Sequence, residues 1–486
     1  MELFLIGHEY RYCVEQTLLM LYPGERPTYP EKEGEGDRAV VALTRGREYT
    51  TAVCRLTLKG KTERGAFRIR IPEGTAKTEA VRREQHAVKL AFYRAALAQG
   101  HEKPAWGCLT GVRPGKFLTG LRVRDGLTDA QALRALIKQY DVSPDRALLC
   151  RDAERTAQRV RASLSKRDVC LYIGIPYCPT RCAYCSFVSV EAPKLLKTIP
   201  DYLAALEKEL AATAGAVKKA GLRIVAVYMG GGTPTTLSAN ELDRLLSVTH
   251  SLFDLSACRE ITVEAGRPDT VTEEKLRVLR AQGVDRVSVN PQTMSDTVLE
   301  TIGRHHTAAD IVRAVELVKR VGGLSFNMDL IAGLPGDTPE SFEDTLRAVL
   351  ALDPENITVH TLALKKGSRF LTEHTLLPDG AAVGTMLRTA SDLLGAAQYA
   401  PYYLYRQKYM SGSFENVGWT KSGHENIYNV CIMEELCSIL SAGAGGSTKL
   451  VHPNGDIQRL TAPKYPREYI ERIEETCADK EVIARL

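Results

Sequence analysis

Residues 66–71 (AFRIRI) alternate Phe67, Ile69 and Ile71 with Arg68 and Arg70, the period of two that turns one set of side chains to a core and the other to water. Apolar runs at 1–6, 38–44 and 50–57 also read as strands, and the polar stretch 30–37 as a loop. A helical pattern covers 77–99, with further helices to about 164. Pro104–Gly107 and Gly111–Lys116 read as turns, because Pro and Gly break a helical run there. These elements predict a small α+β domain over 1–165, closed by the charged linker Ser165-Lys166-Arg167-Asp168.

From 169 the texture changes. Short apolar, β-branched runs at 169–175, 224–229, 259–264, 284–290, 325–331 and 356–362 alternate with longer helical patterns. Successive βα units require parallel strands joined by helical crossovers. A partial (β/α)6 barrel and an open doubly wound sheet both satisfy this, over 166–369. Beyond 370 the pattern predicts a helix at 379–397, a strand at 402–406 and an apolar helix at 430–442. A Gly-rich turn at 443–446 and a last helix after Pro466 complete an accessory α/β domain over 370–486.

Composition narrows the class without naming a chemistry. At about 150 residues per domain, 486 residues predict about three domains. A chain that is 44% hydrophobic and 25% charged is of the ordinary soluble globular kind. No window approaches the roughly 18 apolar residues of a membrane span, so none is expected. The N-terminal MELFLIGHEY lacks a basic leader and a small-residue cleavage site, which points to a cytoplasmic protein. The net charge of +5 suits an anionic ligand, but solvated helix faces also account for it. No nucleic-acid partner is expected. Of twelve cysteines, nine are scattered and three lie within eight residues. That distribution fits reduced thiols with one metal or cluster site better than a disulfide framework.

The three form Cys178-Pro179-Thr180-Arg181-Cys182-Ala183-Tyr184-Cys185, a CxxxCxxC. Closely spaced thiolates let one loop wrap an iron–sulfur cluster. A structural zinc would ask for a fourth protein ligand, and position 187 is Phe187. Three ligands leave one iron open to bind something. The second motif is Met229-Gly230-Gly231-Gly232-Thr233-Pro234-Thr235, directly after the second βα strand. Its glycines allow close backbone approach and can aim N–H groups at anionic oxygens, although a tight strand-to-helix turn would use them equally. Placement adds weight, because chemistry in parallel α/β folds sits beyond the carboxyl ends of the strands. The cysteines follow the first strand and the glycines the second. Glu264 ends the third and Asn290-Pro291-Gln292 the fourth. Asn327 and Asp329 lie in the fifth, and Ala363 follows the sixth. Taken singly, Glu264 also reads as a helix-cap partner, and Asp329 with Arg304 as a buried ion pair.

On these motifs the chain resembles radical S-adenosylmethionine (SAM) enzymes of the oxygen-independent coproporphyrinogen III oxidase superfamily. Within it, Trp106-Gly107-Cys108-Leu109-Thr110-Gly111-Val112-Arg113-Pro114, Glu264-Ala265-Gly266-Arg267-Pro268-Asp269 and Pro401-Tyr402-Tyr403-Leu404-Tyr405-Arg406-Gln407 resemble the Firmicute coproporphyrinogen dehydrogenase branch. The resemblance implies a partial (β/α)6 radical SAM barrel between a small N-terminal α+β domain and a C-terminal accessory α/β domain. It implies a 4Fe–4S cluster on Cys178, Cys182 and Cys185, with SAM chelating the open iron. Tyr172 and Gly231 would contact that SAM, and Glu264 its ribose. Gly232, Thr233, Gln292, Arg304, Asp329 and Ala363 match positions that bind a second SAM. Three departures stand out: Gly174 where the oxidase has histidine, Phe187 for a fourth cysteine, and Asn429 where relatives tend to have tryptophan. The implied reaction turns two propionates of coproporphyrinogen III into vinyl groups. It would take electrons from a reduced flavodoxin- or ferredoxin-type donor. A heme chaperone built on the same barrel, and a radical SAM enzyme that methylates or opens heme, are the two alternatives.

Overall fold

Short turns and paired hydrophobic faces organise the first strands. β1 (Glu2–Ile6), β2 (Arg38–Arg45), β3 (Tyr49–Leu58) and β4 (Lys61–Arg70) form a sheet in that order. β1 runs parallel to β2, and the other pairs are antiparallel. Ala39, Val41, Leu43, Ala52, Cys54 and Leu56 alternate inward and join one core with α1 (Arg11–Leu21) and α2 (Lys77–Ala98). Strand β4 lies so close to α2 that a Cβ on Gly65 would stand 2.1 Å from the carbonyl oxygen of Ala91. The helices α3 (Pro114–Val123), α4 (Asp129–Gln139) and α5 (Pro144–Ser163) follow. Two of the motifs behind the resemblance meet here. Arg406 stands over the Trp106 ring, 5.4 Å from its centre, and donates to the Leu109 carbonyl.

The computed structural model describes residues 1–32, 34, 36–185, 197–363, 368–373, 375–407, 411–452 and 456–486. Phe187 lies outside them. The chain divides into two compact units, Met1–Arg151 with Arg406–Tyr409, and Asp152–Tyr405 with Met410–Leu486. This differs from the expected segments 1–165, 166–369 and 370–486. The first division falls inside α5, and the last two expected segments belong to one unit.

In that second unit, each strand of the expected barrel forms and is followed by its crossover. β5 (Asp168–Ile175) leads to α6 (Ile199–Ala220), β6 (Arg223–Gly231) to α7 (Ala239–Leu252), and β7 (Ile261–Glu264) to α8 (Glu273–Ala281). β8 (Arg286–Ser288) leads to α9 (Asp296–Thr301) and α10 (Ala308–Val321), and β9 (Ser325–Ala332) to α11 (Pro339–Ala351) and β10 (Asn356–Thr361). All neighbours from β5 to β10 pair in parallel and in sequence order. The helix starts are written locally: Ser238 with Glu241, and Thr307 with Asp310, each close a reciprocal capping box. Leu203, Leu206, Leu210 and Ala214 put a buried stripe on α6.

The rest of the chain is α12 (Arg369–Thr372), α13 (Gly380–Ala396), β11 (Ala400–Arg406), β12 (Glu415–Thr420), α14 (Ile427–Glu434), β13 (Ser438–Ala442), β14 (Ser447–Val451), β15 (Ile457–Thr461), α15 (Pro466–Glu471) and α16 (Ile473–Asp479). Its strands extend both flanks of the barrel sheet, giving the order β11-β12-β10-β9-β8-β7-β6-β5-β13-β14-β15. The expected helix at 430–442 is a correction. It stops at Glu434, Glu435 turns left-handed at φ 54°, and 438–442 is a strand parallel to β5. Every residue of β13 is buried, so it shows none of the alternation that would have marked it. No helix among the described residues is long and apolar enough to cross a membrane.

Candidate active site

In five of the six barrel strands one or two polar side chains on the same face break a largely buried run, and β8 is buried throughout. Tyr172 is the only residue of β5 that is partly exposed and not buried, Glu264 the only one of β7 and His360 the only one of β10. Tyr228 is partly exposed in mid-β6, as are Asn327 and Asp329 in β9. These positions lie on strands of one sheet. They therefore mark a common surface within reach of solvent, lined by tyrosine, carboxylate, amide and imidazole.

The cysteine loop leaves β5 at the carboxyl end of this surface. Cys178, Cys182 and Cys185 are partly exposed thiols. The loop is tied down on several sides: Ala183 N–H donates to Ile302, Arg369 N–H donates to Ala183, and Arg267 Nη1 donates to the Thr180 hydroxyl at 2.5 Å. Cys178 Sγ lies 3.4 Å from the Thr233 hydroxyl, which joins the cysteine loop to the glycine turn. Cys182 and Tyr184 both interact with the Arg304 side chain.

The glycine turn works differently from one of the two sequence expectations. The N–H groups of Gly232 and Thr233 are not aimed at a ligand. They donate to Ile175 and Tyr177, each at 2.7 Å, and continue the β5–β6 pairing. What the glycines provide is proximity. A Cβ on Gly232 would meet the Tyr177 carbonyl at 2.5 Å, and Gly231 sits at φ 113° against Ile175 and the Tyr172 hydroxyl. A Cβ on Gly230 would press on the Glu264 carboxyl at 3.0 Å.

Glu264 accepts from Tyr228 Oη at 2.6 Å and from the Gly231 N–H. Tyr228 stacks on Tyr428 at 4.4 Å between ring centres, and Tyr172 stacks beside both. Burial raises the Glu264 carboxyl to about 7. The sign of the consequence is fixed. Below the ordinary value near 4.5 both folded and unfolded carboxyls are protonated, and burial costs nothing. As pH rises to about 7 the unfolded carboxyl ionises while the folded one keeps its proton, so stability falls across that window. Glu264→Gln should remove this fall and be the more stable protein at pH 8, by up to about 3 kcal/mol. Denaturant unfolding of both proteins at pH 4.5 and pH 8 measures the difference; equal slopes against pH would refute it.

The remaining candidates form a second group. Gln292 holds a left-handed backbone, φ 68°, and exchanges backbone hydrogen bonds with β9 through Asp329 and Ile331. The reading of Asp329 and Arg304 as partners is corrected. Asp329 faces His360 Nε2 at 3.6 Å and accepts from Asn327 Nδ2 at 2.7 Å. Burial opposes its ionisation, but these two donors prevail and hold the carboxyl below its usual range. Arg304 instead donates to the Asn290 carbonyl at 2.6 Å and to Tyr184 Oη at 3.3 Å, and its buried Nε has no partner among the described residues. Ala363 lies just past β10, where Leu362 pairs with Ala332. Sequence reasoning did not single out Tyr228, Tyr428, Tyr184 or His360. Tyr228 stands out only through the parallel register, which sets it opposite Tyr172.

Comparison with known proteins follows this geometry. The sequence model of the Radical SAM superfamily matches residues 172–349. The chain is 37% identical over 415 residues to the oxygen-independent coproporphyrinogen-III oxidase-like protein HemZ of Bacillus subtilis, covering 84% of this chain and 82% of that protein. It is 32% identical over 302 residues to the heme chaperone HemW of Haemophilus influenzae, covering 62% of this chain and 75% of that one. The solved structure of coproporphyrinogen III oxidase (HemN) from Escherichia coli shares the fold with a TM-score of 0.53 at 24% identity, over 66% of this chain and 72% of that one.

Proposed function

The chain belongs to the oxygen-independent coproporphyrinogen III oxidase-like family of radical SAM proteins, and on that premise we propose that it oxidatively decarboxylates coproporphyrinogen III. Two propionates become vinyl groups and the product is protoporphyrinogen IX. Membership implies a 4Fe–4S cluster and SAM. The residues suit them: three partly exposed thiols on one tethered loop, no fourth cysteine nearby, and a glycine turn pressed against that loop. Cys178, Cys182 and Cys185 would hold the cluster, and Tyr172, Gly231 and Glu264 would face the SAM. When bound, that pair supplies a carbon-centred radical that starts the oxidation of a propionate side chain. The protein's own residues orient the ligands and keep water from the reacting carbon.

The observation that favours turnover over heme carriage is that Arg304 and Asp329 are charged but do not neutralise each other. Each is fixed by other groups, Arg304 by Asn290 and Tyr184, Asp329 by His360 and Asn327. A guanidinium and a carboxylate held apart suit a ligand carrying both charges, as SAM does, and Gly232, Thr233, Gln292 and Ala363 belong to the same second-SAM assignment. A heme carrier has no evident chemical need for a second SAM. The electron donor is of the reduced flavodoxin or ferredoxin type, and the protein acts in the cytoplasm.

Anaerobic incubation with coproporphyrinogen III, SAM and a reductant tests the reading. The tricarboxylic intermediate and protoporphyrinogen should appear together with 5′-deoxyadenosine and methionine. If coproporphyrinogen stays unchanged while heme binds tightly, the protein is a carrier. If heme itself changes mass, it is a heme-modifying enzyme.

A further inference from the structure

Three of the cysteines that look scattered in sequence converge. Cys170 lies near the start of β5, Cys431 on α14, and Cys437 just before β13. Their sulfurs all lie within 4.8 Å of one another, and Cys170 Sγ to Cys437 Sγ is 3.8 Å. Cys170 and Cys431 are fully buried, and Cys437 keeps 7% of its surface. Val225, Ala226, Ile439 and Tyr428 pack around them. Among the described residues this is the one set of His, Cys, Asp and Glu side chains gathered so tightly. It is distinct from the cluster loop.

The spacing identifies what the set can hold. Zinc binds thiolate sulfur at about 2.3 Å, so sulfurs sharing one ion stand about 3.8–4.0 Å apart in tetrahedral or trigonal geometry. The trio is already near that spacing and needs only a small contraction. A disulfide would require two sulfurs to close to about 2.05 Å, needs an oxidant, and leaves the third thiol without a role. Charge selects among soft cations. Three thiolates with a monovalent ion leave two uncompensated negative charges in an apolar shell, which is severely unfavourable. With a divalent ion one remains, and Arg259 acts electrostatically on Cys431 from nearby.

We propose that Cys170, Cys431 and Cys437 form a three-thiolate site for one zinc ion, separate from the iron–sulfur site, its fourth position taken by a water and not by the fourth protein ligand of a closed structural site. Binding forms three zinc–sulfur bonds and releases the three thiol protons to solvent. Zinc and sulfur keep their oxidation states, so no co-reactant is needed. Cys437 keeps 7% of its surface, against 0% for the other two, and is the side from which that water would reach the ion. The ion clamps β5, α14 and β13 together. Tyr172 lies two residues along β5 from Cys170, and Tyr428 three residues before Cys431 on α14. The site therefore braces the tyrosine stack that carries Glu264.

The experiment uses full-length protein purified anaerobically with its cluster, and zinc alone as the probe. One zinc per chain should survive dialysis, and X-ray absorption at the zinc edge should show three sulfur neighbours. Cys431→Ser and the milder Cys437→Ala should each weaken zinc binding at least tenfold and abolish the rise in Tm that zinc gives the unaltered chain. Cys178→Ala should still hold zinc. Fewer than three sulfurs at the zinc edge, zinc lost in Cys178→Ala, or no tight zinc in the unaltered chain would each overturn the site. The edge spectrum needs no variant, so a misfolded variant does not shield the proposal.

Discussion

Replacing any one of Cys178, Cys182 or Cys185 with alanine should reduce 5′-deoxyadenosine formation to background, while Cys258→Ser should leave it intact. The three thiols sit on one loop whose backbone is held from several neighbouring segments, so loss of a ligand is not made good by movement of another. The nearest other cysteine in sequence, Cys170, is eight residues before Cys178, but it belongs with Cys431 and Cys437 to a buried trio at the opposite end of β5 from this loop. Cys258 is a partly buried thiol that donates to the Glu260 carbonyl and has no part in either set. The measurements are iron content, the charge-transfer absorption of the cluster and the yield of 5′-deoxyadenosine with dithionite as reductant. Full activity in any of the three variants, or a stable zinc in place of iron in the unaltered chain at these cysteines, would refute the cluster assignment.

The contrast between the two cysteine sets shows what the sequence made legible. A cluster loop is local: its ligands lie within eight residues and announce themselves by spacing. The second trio spans β5 to β13, and nothing in the sequence brings Cys170 to Cys437 until β13 is seen to pair beside β5. The barrel strands were readable for a related reason. Parallel strands buried on both faces are short continuous apolar runs, and 169–175 or 325–331 differ from the observed β5 and β9 by one residue at an end. The same property hid β13, because a buried run of five residues after an apolar helix offers no change of period. β14 and β15 carry exposed polar positions and follow a Gly-rich turn, so only their pairing defines them. At the site, Tyr172, Glu264 and Asp329 are partly exposed residues of one sheet, but the partners of the named residues were not deducible. That Asp329 faces His360 rather than Arg304 depends on the β9–β10 register, and that the glycine N–H groups serve β5 depends on how closely two loops pack.

Arg304→Ala should lower product formation about 10²-fold and leave the cluster absorption unchanged. The side chain is 93% buried by relative surface, 7% being exposed, and its two terminal nitrogens are engaged by Asn290 and Tyr184. Its Nε is a buried donor with no hydrogen-bond partner among the described residues. Such a donor is disfavoured without an acceptor, and a ligand carboxylate at this edge of the guanidinium would supply one. Loss of one charge-assisted hydrogen bond of about 2–3 kcal/mol corresponds to the stated fold-change. A binding role predicts that the effect falls on KM for SAM when the ligand is held loosely, and on kcat when the same contact orients the reacting centre. Arg304→Lys should not restore activity, because a single ammonium cannot span Asn290 and Tyr184 while still meeting a ligand. The bland role, in which Arg304 only braces the cysteine loop through Tyr184 and Cys182, makes the opposite forecast. The cluster would become labile in Arg304→Ala, and Tyr184→Phe, which keeps the ring but removes the hydroxyl, would lose iron as well. Iron retention in both variants, with turnover lost only in the first, separates ligand binding from loop support.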